Sequence, residues 1–94
     1  MTEIISQKQL TAYHKYLLQE EKSAATIEKY LRDARTFMLF AAEKKITKEL
    51  TVAYKKYLQE QDYAVRSINS MIASLNSLLL FIGRADCRVK TLRC

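Results

Sequence analysis

The sequence has no proline and one glycine, Gly83. Those two residues supply most of the special backbone angles of tight turns, so a fold of many short strands is excluded as the economical reading. Long helices joined by short polar turns suit such a chain. Cysteine is nearly as scarce. Cys87 and Cys94 form no CxxC pair and have no histidine near them in sequence, which is too few ligands for zinc. Free thiols in a reducing cytosol are expected. Histidine occurs once, as His14 on the outer side of a helix, and one histidine with scattered acids makes no catalytic constellation. No stretch approaches the roughly twenty apolar residues needed to span a bilayer. Residues 1–22 carry charges throughout in place of the apolar run of a signal peptide. A cytoplasmic protein without membrane segment, metal or cofactor is expected.

What is present is an ordinary globular composition, 49% hydrophobic and 28% charged, in a chain of 94 residues, enough for one domain with a modest core. The net charge is +6. A small basic domain points toward a polyanion partner, although charge alone is a weak signal.

The apolar residues recur at three- and four-residue steps in four segments, which predicts helices over 7–21, 24–43, 48–61 and 64–82. Leu10, Tyr13 and Leu17 form the first stripe, with Tyr16 beside it; Ile27, Tyr30, Leu31, Ala34, Phe37, Met38 and Ala41 form the second. Leu50, Ala53, Tyr54, Tyr57 and Leu58 mark the third, and Ile68, Met71, Ile72, Leu75, Leu78, Leu79 and Ile82 the fourth. Ser6 with Gln9 makes a capping box, Ser23 and Thr47 are natural caps, and Gly83 offers a helix stop. Phe40 and Phe81 lie off the stripes, where they would seal the bundle ends. Residues 84–94 read as a basic exit tail with Arg84, Arg88, Lys90 and Arg93 against one acid, Asp86. The Lys44, Lys45 and Lys48 cluster falls in the turn between the second and third segments.

A repeat underlies the pattern. Shifted by 41 positions, Ala12-Tyr13-His14-Lys15-Tyr16-Leu17 falls on Ala53-Tyr54-Lys55-Lys56-Tyr57-Leu58, and Ile27 falls on Ile68, Leu31 on Ile72 and Phe40 on Phe81. One helical hairpin cannot bury both sides of its stripes, so two copies should share one core. The expected fold is all-α, a four-helix bundle of two repeated helical hairpins.

The polar faces carry the functional reading. Residues 63–85 contain no acidic side chain, whereas an ordinary solvated helix mixes both signs. The fourth helix is expected to present Arg66, Asn69, Ser70, Ser74, Asn76 and Ser77 outward. Thr26, Lys29, Arg32 and Thr36 lie on one face of the second, with Glu28 and Asp33 beside it where they can pair with the cations. Under the same shift Thr26 falls on Ser67, Lys29 on Ser70 and Thr36 on Ser77. Two equivalent polar faces could address one surface, and a duplex groove admits a helix. The tyrosines read as core side chains and lack the surroundings of a nucleophile.

Ser23-Ala24-Ala25-Thr26-Ile27-Glu28-Lys29-Tyr30-Leu31-Arg32-Asp33, followed by Phe37 and Phe40, resembles the S-x-x-T-I-x-x-Y-x-x-D-L-x-x-F signature of the core-binding domain of tyrosine recombinases, the phage integrase family. Ser67-Ile68-Asn69 through Leu75-Asn76-Ser77-Leu78 echoes that family's T-I-N … L-S-A-L-R-S-F-F helix. The chain departs from the pattern at Ala64, where a serine cap is usual and Asp62 or a later start at Ser67 would have to substitute. It lacks the proline common after the caps, and Asn76 stands where the family often has arginine.

The resemblance implies a SAM-like bundle, residues 1–83, that forms half of a C-shaped clamp on double-stranded DNA. Residues 84–94 would begin a linker to a separate C-terminal catalytic domain with the arginine, histidine and tyrosine cluster. The chain alone would then be no enzyme, while the full-length protein would break and rejoin DNA strands beside other recombinase protomers. The expected DNA contacts are Thr26, Lys29, Arg32, Thr36, Arg66, Ser67, Ser70, Ser74 and Ser77; no residue is expected to be catalytic or to bind a cofactor or metal. A helical protein–protein interaction module or small regulator, using the same polar faces or the apolar Leu39 and Leu80, is the alternative. A complete helix-turn-helix repressor fits less well, because it needs a short turn before its reading helix.

Overall fold

The computed structural model describes residues 6–42 and 44–92. The end of the second segment at Glu43, together with Arg93 and Cys94, lies outside them. The described residues hold helices α1 (Gln7–Gln19), α2 (Ala24–Ala41), α3 (Lys48–Gln59) and α4 (Val65–Phe81), a short 3₁₀ turn (Ala85–Cys87) and no strand. The fold is all-α, as the periodicity predicts.

Three helices start where their caps dictate. Ser6 accepts from the Gln9 N–H at 3.3 Å while the Gln9 side chain accepts from the Ser6 N–H at 3.0 Å. Ser23 accepts from Thr26 N–H at 3.2 Å, and Thr47 from Leu50 N–H at 3.1 Å. Each such cap contributes about 1 kcal/mol. The fourth start has no substitute. Ala64 takes the extended cap conformation without a side-chain acceptor, and neither Asp62 nor Ser67 caps the helix.

The ends fall short of the apolar pattern because each helix is followed by a left-handed residue: Glu21, Ala42, Asp62 and Gly83. At Gly83 the Arg84 N–H reaches Leu79 O at 2.8 Å and the Gly83 N–H reaches Leu80 O, a complete Schellman motif. The repeat holds even here, since Glu21 pairs with Asp62 and Ala42 with Gly83 under the same shift.

The two hairpins interlock through their aromatics. Tyr13 and Tyr16 of α1 pack on Phe81 at the end of α4, with ring centroids 5.3 and 4.9 Å apart. Tyr54 and Tyr57 of α3 pack on Phe40 at the end of α2, at 5.1 and 5.0 Å. Each tyrosine pair therefore meets the phenylalanine of the other hairpin, so neither hairpin can complete its core alone. The most extensive helix contact is between the equivalent helices α2 and α4. Phe37, Ile72, Leu78 and Leu79 lie fully buried among these elements.

Residues 84–92 do not leave the bundle. Cys87 and Val89 are buried in the same core as the helices. Thr51 donates to Cys87 O at 2.7 Å, and Lys48 donates to Arg88 O. Asn76 grips both backbone groups of Val89, at 2.8 and 3.0 Å, and Asn69 both of Leu92, at 2.9 and 2.6 Å. The chain thus returns along α4 as a strap. A boundary at residue 83 cuts through this packing: Gly83 ends a helix, and the bundle continues to Leu92. Two of the tail's cations, Arg84 and Arg88, are engaged as well. Arg84 pairs with Asp86 at 3.1 Å and donates to Ile46 O at 2.9 Å, and Arg88 donates to Ala85 O.

Candidate nucleic-acid interface

Where α2 crosses α4, the bundle surface holds a shallow groove of about 360 Å³ lined by Lys29, Arg32 and Thr36 from α2 and by Ser67, Ser70 and Met71 from α4. Tyr63 and the buried Asp33 complete the lining. Five of the nine residues expected to contact DNA therefore share one concavity. They meet because α2 and α4, the equivalent helices of the repeat, pack directly on each other.

The other four divide into two pairs. Thr26 and Arg66 sit outside the groove. Thr26 is engaged with Ser23 at the start of α2, their hydroxyls 2.9 Å apart, and Arg66 is exposed in the first turn of α4. Ser74 and Ser77 lie outside the groove lining as well, Ser74 buried and Ser77 half-buried. Ser74 is 2% exposed and bonded to Ser70 O, so it cannot touch a duplex. Ser77 accepts the hydroxyl of Tyr13 at 2.9 Å, facing α1. Asn69 and Asn76 likewise turn away from the groove and hold the strap. The fourth helix is surrounded by α2, α3 and the 3₁₀ turn, so it has less free surface than its polar residues indicate.

The charge of the groove depends on Asp33. This carboxylate is 7% exposed and lies 2.5 Å from Lys29 Nζ, which also reaches Ser74 Oγ at 3.4 Å. The i,i+4 spacing on α2 makes the pair. It turns Lys29 inward as a brace between the two helices and leaves Arg32 as the exposed cation of the groove. Tyr63 and Met71 are groove residues that the sequence reading missed. Tyr63 precedes the helix, where periodicity carries no signal, and Met71 reads as part of the apolar stripe.

Nearby, the hydroxyl of Tyr54 is buried and without a partner among the described residues. Burial pushes its pKa up, and the charge of Asp33 adds to the effect. Among the described residues no cluster of His, Cys, Asp or Glu could hold a metal ion. No helix there is long and apolar enough to cross a membrane.

The family model for the phage integrase N-terminal SAM-like domain matches residues 10–85. The chain belongs to this family. No curated protein and no solved structure matches it significantly. The matched span of this integrase domain takes in all of α2, α3 and α4, and both walls of the groove lie within it.

Proposed function

We propose that this integrase SAM-like domain holds double-stranded DNA against α2 and α4, positioning the duplex for strand exchange by a separate C-terminal catalytic domain of a tyrosine recombinase. The observation that carries the proposal is the α2–α4 groove, where Arg32 stands exposed among small hydroxyls and the one acid is neutralised by Lys29. Small side chains let a phosphate backbone approach closely. Arg32 and Arg66 supply charge, and Thr36, Ser67 and Ser70 supply donors that set orientation. Thr26 is the outermost contact, at the start of α2. Other recombinase protomers on the same DNA are the further partners that the family membership favours.

A titration of a duplex of about 20 base pairs against the chain at low and high salt tests this. Affinity should fall steeply as salt rises, because phosphate contacts release counterions. No binding to any duplex at low salt would sink the proposal.

A further inference from the structure

The strap has an unmatched twin. Its groove on the second hairpin is built by Lys48 and Thr51 of α3 and by Asn69 and Asn76 of α4. The shift that relates the hairpins maps these onto Gln7, Leu10, Glu28 and Arg35. Those four residues line two hollows of about 340 and 320 Å³ on the α1–α2 face, and the hollows meet at Arg35. Among the described residues, the first hairpin therefore carries the same groove without a strap in it. It diverges from its twin at one point in the chain. Ile46 takes the buried place of Cys87, but the residues after it turn into α3 where those after Cys87 run back as a strap.

We infer that this α1–α2 groove docks an extended segment of another protein. The segment would carry two aliphatic residues three positions apart, an acidic residue beside the first and a basic residue after the second. The strap shows which shape fits: Val89 is buried and Leu92 partly buried, while their peptide groups pair with the helix. The polar substitutions set the charges. An asparagine both donates and accepts, which suits one peptide unit. Arg35 only donates, so it calls for a carboxylate or carbonyl. Glu28 only accepts, so it calls for an N–H or a cation. The groove is also more apolar at its far end, where Leu18, 57% exposed, replaces Gln59 of the twin. At the near end Leu39 is 82% exposed.

The test uses the ¹⁵N-labelled 94-residue chain and the capped peptide Glu-Val-Ser-Thr-Leu-Lys, which keeps the strap's aliphatic spacing and supplies the called-for charges. Amide shifts should map to Leu10, Leu18, Ile27 and Arg35 and should saturate within about 5 mM peptide. The charge-reversed peptide Lys-Val-Ser-Thr-Leu-Glu should bind about fivefold more weakly. The double variant Glu28→Lys, Arg35→Glu should reverse that order; both side chains are exposed, so the fold should tolerate the change. Three results would overturn the inference: no shift in that range, shifts confined to α3 and α4 through displacement of the strap, or shifts only after deletion of residues 1–5.

Discussion

Tyr13 donates its hydroxyl to Ser77 Oγ at 2.9 Å, joining the first helix of one hairpin to the last helix of the other. Its repeat mate Tyr54 is just as buried, yet its hydroxyl has no partner among the described residues. The position equivalent to Ser77 is Thr36, whose hydroxyl donates instead to Arg32 O of its own helix at 3.0 Å. The same substitution should therefore act oppositely at the two sites. Tyr13→Phe breaks a bond and should cost about 1 kcal/mol. Tyr54→Phe removes an unsatisfied buried hydroxyl and should be neutral or stabilise by about 1 kcal/mol. Urea unfolding of both variants checks this, and equal losses would contradict it.

Asn76 and Val89 exchange two hydrogen bonds, and Val89 is buried. Asn76→Ala should cost about 2 kcal/mol, because it also leaves the Val89 peptide without its partner. Hydrogen exchange at the Val89 and Leu92 amides should accelerate in the variant while the α1 amides exchange as before. Unchanged exchange at Val89 would mean that the strap is held by its side chains alone.

These bonds also mark where the sequence stops being informative. Helix starts were legible wherever a side chain performs the capping, as at Ser6, Ser23 and Thr47. The end of α4 was legible in Gly83, but those of α1 and α3 were not, because Glu21 and Asp62 adopt the left-handed conformation without the glycine that would signal it. The groove was legible on α2, whose polar face is free. On α4 the polar residues read as facing solvent, but Asn69 and Asn76 hold the strap, Ser74 is buried and Ser77 bonds Tyr13. A side chain that bonds a backbone strap and one that faces a ligand have the same composition. Only the position of residues 88–92 separates them.

Burial raises the pKa of Tyr13, Tyr54 and Cys87 alike. A group whose folded pKa lies above its unfolded value contributes stability below the unfolded value and loses it as pH climbs through the folded one. The ordinary values are 9.0 for the thiol and 10.0 for the phenols, so stability should hold to about pH 9 and fall above it. The urea midpoint should drop between about pH 9 and pH 11, and by less in Tyr54→Phe. A flat profile across that window would contradict the burial argument. Cys87 should also resist thiol reagents at neutral pH in a Cys94→Ser chain until urea unfolds it.

Lys29 and Arg32 stand three residues apart on the same groove and should nevertheless fail differently. Lys29 is held by the buried Asp33 carboxylate, so Lys29→Met leaves that charge without its partner. It should cost about 1–2 kcal/mol, the range expected once the solvent exposure of Lys29 is allowed for. The double variant Lys29→Met, Asp33→Asn should recover part of the loss. Arg32 is exposed, so Arg32→Gln should leave stability within about 0.5 kcal/mol. Its effect should appear on DNA: a uniform loss of affinity across duplex sequences and a salt slope shallower by about 1. Thermal melts beside duplex titrations separate the two residues. If Arg32→Gln binds every duplex as the parent chain does, the α2–α4 groove is not the face that meets DNA.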